Sequence, residues 1–167
     1  MRFRSVVFLL VAALLGGCGT QEPSEWKSLR NQFLIKDQPS GAITIAQAIA
    51  TPSEDEVLIV AQIGSGKGDT FDSKLASFLV SEAPDDAHKG KPGHDPDGCP
   101  FCKQKLANAP TVTVAFSNKQ GDPIAADASK VFGISKGDIV VIRGKTDYEE
   151  SMKLLNINAT GLYIVPE

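Results

Sequence analysis

The chain has 167 residues, 42% hydrophobic and 22% charged, proportions that fit one compact globular domain and exclude a disordered or collagen-like polymer. Its formal charge is −3. A net negative chain gains nothing from counterion release, which counts against nucleic acid as a partner.

The amino terminus carries Arg2 and Arg4, followed by the apolar run Val6 to Leu15, the layout of an export signal core. The run is too short to span a bilayer, which takes about 20 residues. It closes with Leu15-Gly16-Gly17-Cys18, which resembles the lipobox of bacterial lipoproteins. That resemblance implies cleavage before Cys18, diacylation of its thiol and acylation of the new amino terminus. The expected division is a signal peptide over 1–17, lipidated Cys18 with a polar tether over 18–41, and a domain over 42–165. Two or more acyl chains hold a protein stably, so the expected partner is a membrane, reached through the lipid anchor, and the expected location is the bacterial cell envelope, with the domain in the periplasm or outside the cell. Gly19, standing where an aspartate would retain the protein, implies the outer membrane in a two-membrane cell. Removing 1–17 takes away Arg2 and Arg4 and no acid, which moves the charge from −3 to −5.

In chain order, Trp26, Leu29, Phe33 and Leu34 have a spacing close to one helical face and predict a short helix before the Gln-Pro-Ser-Gly turn at 38–41. Thr44 and Gln47 have capping-box spacing and predict a second short helix. Val57 to Ile63 and Leu75 to Ser81 are apolar runs that pair as a hairpin, with a plain turn at Gly64-Ser-Gly-Lys-Gly-Asp69. Thr111 to Ser117 alternates, with Val112, Val114 and Phe116 on one face. Asp127 to Phe132 predicts a helix with Gly133 as C-cap. Ile139 to Arg143 and Leu154 to Val165 are the last strands, the second interrupted at Gly161 by a bulge. Asp147-Tyr-Glu-Glu between them reads as a solvated turn.

The order strand, strand, insertion, strand, helix, strand, strand resembles an OB-fold. The expected fold class is therefore mainly β: a small five-stranded OB-like barrel over 42–165 with one or two short helices and an extended Cys/His loop. Lys136 to Gly144 and Asn158 to Ile164 are also similar to the closing half of OB-type domains in bacterial envelope lipoproteins, planctomycete ones included.

The insertion over 82–110 holds both histidines of the protein, His88 and His94, and both remaining cysteines, Cys99 and Cys102. Two thiolates two residues apart can meet one ion across a turn. His94 supplies a third ligand, and His88, Asp95 or Asp97 a fourth, a donor set that suits zinc or copper. The competing reading is redox: Cys99-Pro-Phe-Cys102 in an oxidising compartment can close as a disulfide, structural or cycling, with Pro100 placing Cys99 near a helix N-terminus. A thioredoxin-type enzyme also needs a βαβ unit, which is missing. Lys103 in place of histidine excludes haem attachment through CxxCH. Leu106 stands where a calcium loop opening at Asp95 needs glutamate. The turn at 64–69 lacks the phosphate-loop spacing. No serine sits in a nucleophile elbow. The expectation is a membrane-anchored, non-catalytic domain that binds a protein or a small ligand. The alternative is a thiol-disulfide redox protein using Cys99 and Cys102.

Overall fold

The computed structural model describes residues 22–65, 68–84 and 109–166. Five strands, β1 (Val57–Ile63), β2 (Ser77–Glu82), β3 (Thr111–Phe116), β4 (Ile139–Glu149) and β5 (Leu154–Ile164), close into a barrel in the order β1-β2-β3-β5-β4. All neighbours are antiparallel except β3 and β5, which run parallel from Thr111 opposite Leu154 to Phe116 opposite Ala159. This is the expected OB-like barrel.

Side-chain alternation decides what faces inward. Ile59, Ala61 and Ile63, Phe78 and Val80, Val112, Val114 and Phe116, Val140 and Ile142, and Leu155, Ile157 and Ala159 are all buried. Each such aliphatic or aromatic side chain contributes roughly 1.5–3 kcal/mol on leaving water. The alternation also corrects the reading of Asp147-Tyr-Glu-Glu as a turn. Asp147, Tyr148 and Glu149 continue β4 opposite Asn156, Leu155 and Leu154, with Tyr148 packed against the core and the two acids exposed. The turn proper is 150–153, where Lys153 adopts φ 50°. At the other end, β2 starts two residues later than expected, because Asp72 Oδ1 accepts the N–H groups of Lys74 (2.7 Å) and Leu75 (3.1 Å) and holds them in a turn.

Among the described residues there are three short helices, α1 (Ser24–Phe33), α2 (Ile45–Ala50) and α3 (Ala128–Phe132), the last two being the one or two expected within 42–165 and α1 the helix predicted before the turn at 38–41. The segment read as a tether thus contains α1, and Phe33 at its end is 4% exposed, its ring 4.9 Å from Phe116 and 6.4 Å from Phe132. Together α1 and α3 close the end of the barrel where β3 finishes and β4 begins. The chain then runs down the outside, where Ile43 bridges to Ile59 and exchanges hydrogen bonds with Leu58 and Val60. The capping box of α2 forms in both halves, Thr44 Oγ1 accepting from Gln47 N (3.1 Å) and Gln47 Oε1 from Thr44 N (2.9 Å). Ile45 and Ala48 seat α2 against β1 and β2.

The predicted bulge is present, one residue before Gly161. Arg143 pairs with Gly161 and Gly144 with Ala159, so Thr160 is the extra residue. The backbones come so close here that a methyl on Gly144 would overlap the Asn158 carbonyl oxygen, whereas one on Gly161 would meet the tip of the Ile35 side chain at 2.8 Å and Arg143 Nη2 at 3.1 Å. We therefore expect Gly144→Ala to cost about 3 kcal/mol, lowering Tm by roughly 10 °C, and Gly161→Ala about 1 kcal/mol, since a side-chain tip can move and a ladder cannot. Calorimetry of both variants checks the ranking, and equal losses would refute it.

Asp127 is the N-cap of α3. Its Oδ1 accepts from the Ser129 hydroxyl (2.6 Å) and backbone N–H (3.0 Å), and Lys130 Nζ lies 3.3 Å from its Oδ2. The Ser129 hydroxyl foremost, with Lys130 and the backbone N–H groups, outweighs partial burial and holds the carboxyl below the usual aspartate range. A carboxylate with a depressed folded pKa stabilises the fold above its unfolded pKa, about 3.9, and loses that contribution as pH falls through the folded value. Asp127→Ala should accordingly cost about 1 kcal/mol near neutrality. The gap to the parent should narrow as pH drops below about 4 in urea denaturation.

Candidate functional site

The residues singled out from sequence all lie outside the described residues: Cys18 before residue 22, and His88, His94, Cys99 and Cys102 within 85–108. What the structure fixes is the mount from which 85–108 departs. β2 ends at Glu82 and β3 begins at Thr111, and the two strands are hydrogen-bonded neighbours with Val80 opposite Val112. The excursion therefore leaves and returns at one end of the barrel, the end opposite α1 and α3. Both roots are tied down. Glu82 Oε2 accepts the N–H of Ala46 in the first turn of α2 (3.1 Å), and Thr111 N–H donates to the Lys153 carbonyl in the β4–β5 turn (2.9 Å).

Among the described residues, no three His, Cys, Asp or Glu side chains are grouped as a metal would need. No polar residue there is fully buried, and no buried polar side-chain atom lacks a partner. The outward face of β2, β3 and β5 carries Ser77, Leu79, Thr113, Ala115, Asn156 and Asn158, short and uncharged side chains placed side by side by the pairings of Leu79 with Thr113 with Asn156 and of Ser77 with Ala115 with Asn158.

A groove of about 400 Å³ lies between this face and the segment leading into β2. Its apolar lining is Leu79 with Phe71, which bridges back to Phe78 with ring centres 6.1 Å apart. Around it stand the hydroxyls of Thr70, Ser77 and Thr113 and the carboxylates of Asp69 and Asp72. Such a surface can hydrogen-bond a small polar group while Phe71 covers one apolar side of it. Reading 64–69 as a plain turn missed this groove, because it exists only once Phe71 folds back onto a strand seven residues later. A second groove, about 320 Å³, runs past Gln32, Asn118, Asn158 and Thr160. There Asn118 is already engaged, its Oδ1 accepting from Gln120 N and Asp122 N at 2.9 Å each.

No protein-family model matches the chain, and no curated protein matches it either.

The mount yields a direct expectation. Because β2 and β3 are adjacent and antiparallel, replacing 85–108 with a two-residue Asn-Gly turn should leave the barrel folded. Shortening the connection should also lower its closure entropy by about 1 kcal/mol. Calorimetry should show Tm unchanged or raised, and loss of the cooperative transition would mean that the barrel depends on the excursion.

Proposed function

We propose that this is a lipid-anchored protein of the bacterial cell envelope, acylated at Cys18, whose OB-like barrel is a non-catalytic binding domain carrying a metal-binding Cys/His loop. The observation that carries the reading is one of placement. Every histidine, and every cysteine after Cys18, falls within residues 88–102, and that stretch hangs from two paired strands of a closed barrel.

Cys99 and Cys102, with His94 and then His88, form the donor set, and thiolate with imidazole suits zinc or copper. The barrel serves as the mount, and the groove beside Phe71 with the uncharged face of β2, β3 and β5 offers contact area to a protein or small ligand. The anchoring half of the reading is supported by Arg2, Arg4, the apolar run to Leu15 and Leu15-Gly-Gly-Cys18.

One preparation tests both halves. The protein is purified from membranes of the bacterium expressing it, under reducing conditions and without chelator, for intact-mass and elemental analysis. A chain starting at acylated Cys18, with near-stoichiometric zinc or copper and two masked thiols, is the expected result. Metal loading should fall as pH drops, because binding displaces thiol protons, and Cys99→Ser should weaken it far more than His88→Ala. An unacylated chain overturns the anchor. Absence of metal, with two thiols appearing only after reduction, replaces the metal site with a Cys99 to Cys102 disulfide.

A further inference from the structure

The chain is fixed to the barrel very soon after the proposed anchor. Glu22 is gripped by both terminal nitrogens of Arg30, Nη1 to Oε1 at 3.2 Å and Nη2 to Oε2. Arg30 Nη1 also donates to the Val131 carbonyl at the C-terminal end of α3 (2.9 Å). Residue 22 is thereby pinned beside the α1–α3 end. Four residue steps separate Cys18 from Glu22, and a fully extended chain covers at most about 3.5 Å per step, so the acylated residue can stand no more than roughly 14 Å from that pinned point.

Charge divides along the same axis. At the α1–α3 end, the described residues of 22–33, 64–76 and 117–138 include seven acidic and six basic ones. At the other end, residues 54–56 and 145–153 contain six acidic residues against Lys145 and Lys153, and Glu82 adds a further carboxylate. Among the described residues of these segments, the end from which 85–108 departs thus carries −5 and the α1–α3 end −1. Anionic headgroups repel the end carrying −5 far more than the nearly neutral α1–α3 end.

We infer that the α1–α3 end is the membrane-facing surface of this protein, its partner a lipid bilayer. The acidic end, with the roots of the 85–108 excursion, then points away from the bilayer. This orientation rests on anchoring at Cys18. Eleven-residue strands tilted as in small barrels separate the two ends by roughly 25 Å.

The test uses the full acylated protein with Cys99→Ser and Cys102→Ser, so that an introduced thiol is the reactive one. Lys119→Cys places a fluorescent donor in the exposed turn after β3, and Met152→Cys places it at the tip of the β4–β5 turn, where Met152 is 65% exposed. The proteins are reconstituted into vesicles of phosphatidylethanolamine and phosphatidylglycerol containing a headgroup-labelled acceptor. Energy transfer from position 119 should exceed that from position 152 by about twofold, as a separation of roughly 25 Å requires. Equal transfer, or stronger transfer from 152, with the protein on the vesicles overturns the orientation. Protein left in the soluble fraction, with no transfer from either position, overturns the anchored reading and the orientation with it.

Discussion

A ring of five strands cannot be antiparallel throughout, and here the parallel neighbour that β3 takes is β5. Its first half is parallel to β3 and antiparallel to the far half of β4, so from Leu154 to Ala159 both of its edges are occupied. Beyond Ala159 it must bend to stay with β4 while leaving β3. Thr160 supplies the bend as an extra residue, its hydroxyl donating to the Arg143 carbonyl at 3.4 Å. Gly144, Ala159 and Gly161 keep the crossing thin enough for the backbones to meet. Larger side chains would push β4 and β5 apart at the point where the barrel turns its corner, and the interior residues on both sides would lose their partners.

Closing the ring leaves two open ends, which the helices treat differently. The α1–α3 end is sealed by aromatic rings, with Phe116 between Phe33 at 4.9 Å and Phe132 at 4.8 Å. Edge and tilted packing of this kind adds to the area buried. The other end is covered from the side by α2, a six-residue helix held by its capping box and by Glu82. A helix so short is unstable alone. Its position is set by Ile45 and Ala48 in the core and by the Ile43 bridge to β1, which occupies the part of β1 that β2 does not reach. The end that carries the excursion is thus tied by a few hydrogen bonds between its elements and by the small apolar face of α2, and the end that carries the amino-terminal helix by aromatic packing.

How much of this was legible in the sequence follows from which signals are local. The alternation of Val112, Val114 and Phe116, the Thr44–Gln47 box and the Asp127-to-Gly133 helix depend on neighbours a few residues away, and they are formed as expected. Gly133 takes its left-handed C-cap conformation at φ 67°. The length of β4 was not legible, because Lys145, Asp147 and Glu149 are solvent-facing strand residues whose composition is that of a turn. The burial of Phe33 and the fold-back of Phe71 onto Phe78 depend on contacts that sequence spacing does not encode. For the site, the sequence offers candidates by residue type, Cys18, His88, His94, Cys99 and Cys102, all outside the described residues. The structure contributed the roots of the excursion and the groove beside Phe71.

β4 runs five residues past its last partner on β1, which ends with Val57 opposite Gly144. From Lys145 to Glu149, none of the described strands pairs with it on that side. Such a backbone edge is a template on which another chain can crystallise its own strand, and at the high local density of a crowded surface that leads to runaway polymerisation. The outward row here is Lys145, Asp147, Glu149, with Glu150 next. An incoming apolar strand would have to strip water from these charges without replacing it. The same residues that disguised the strand as a turn in the sequence thus act as its insulation.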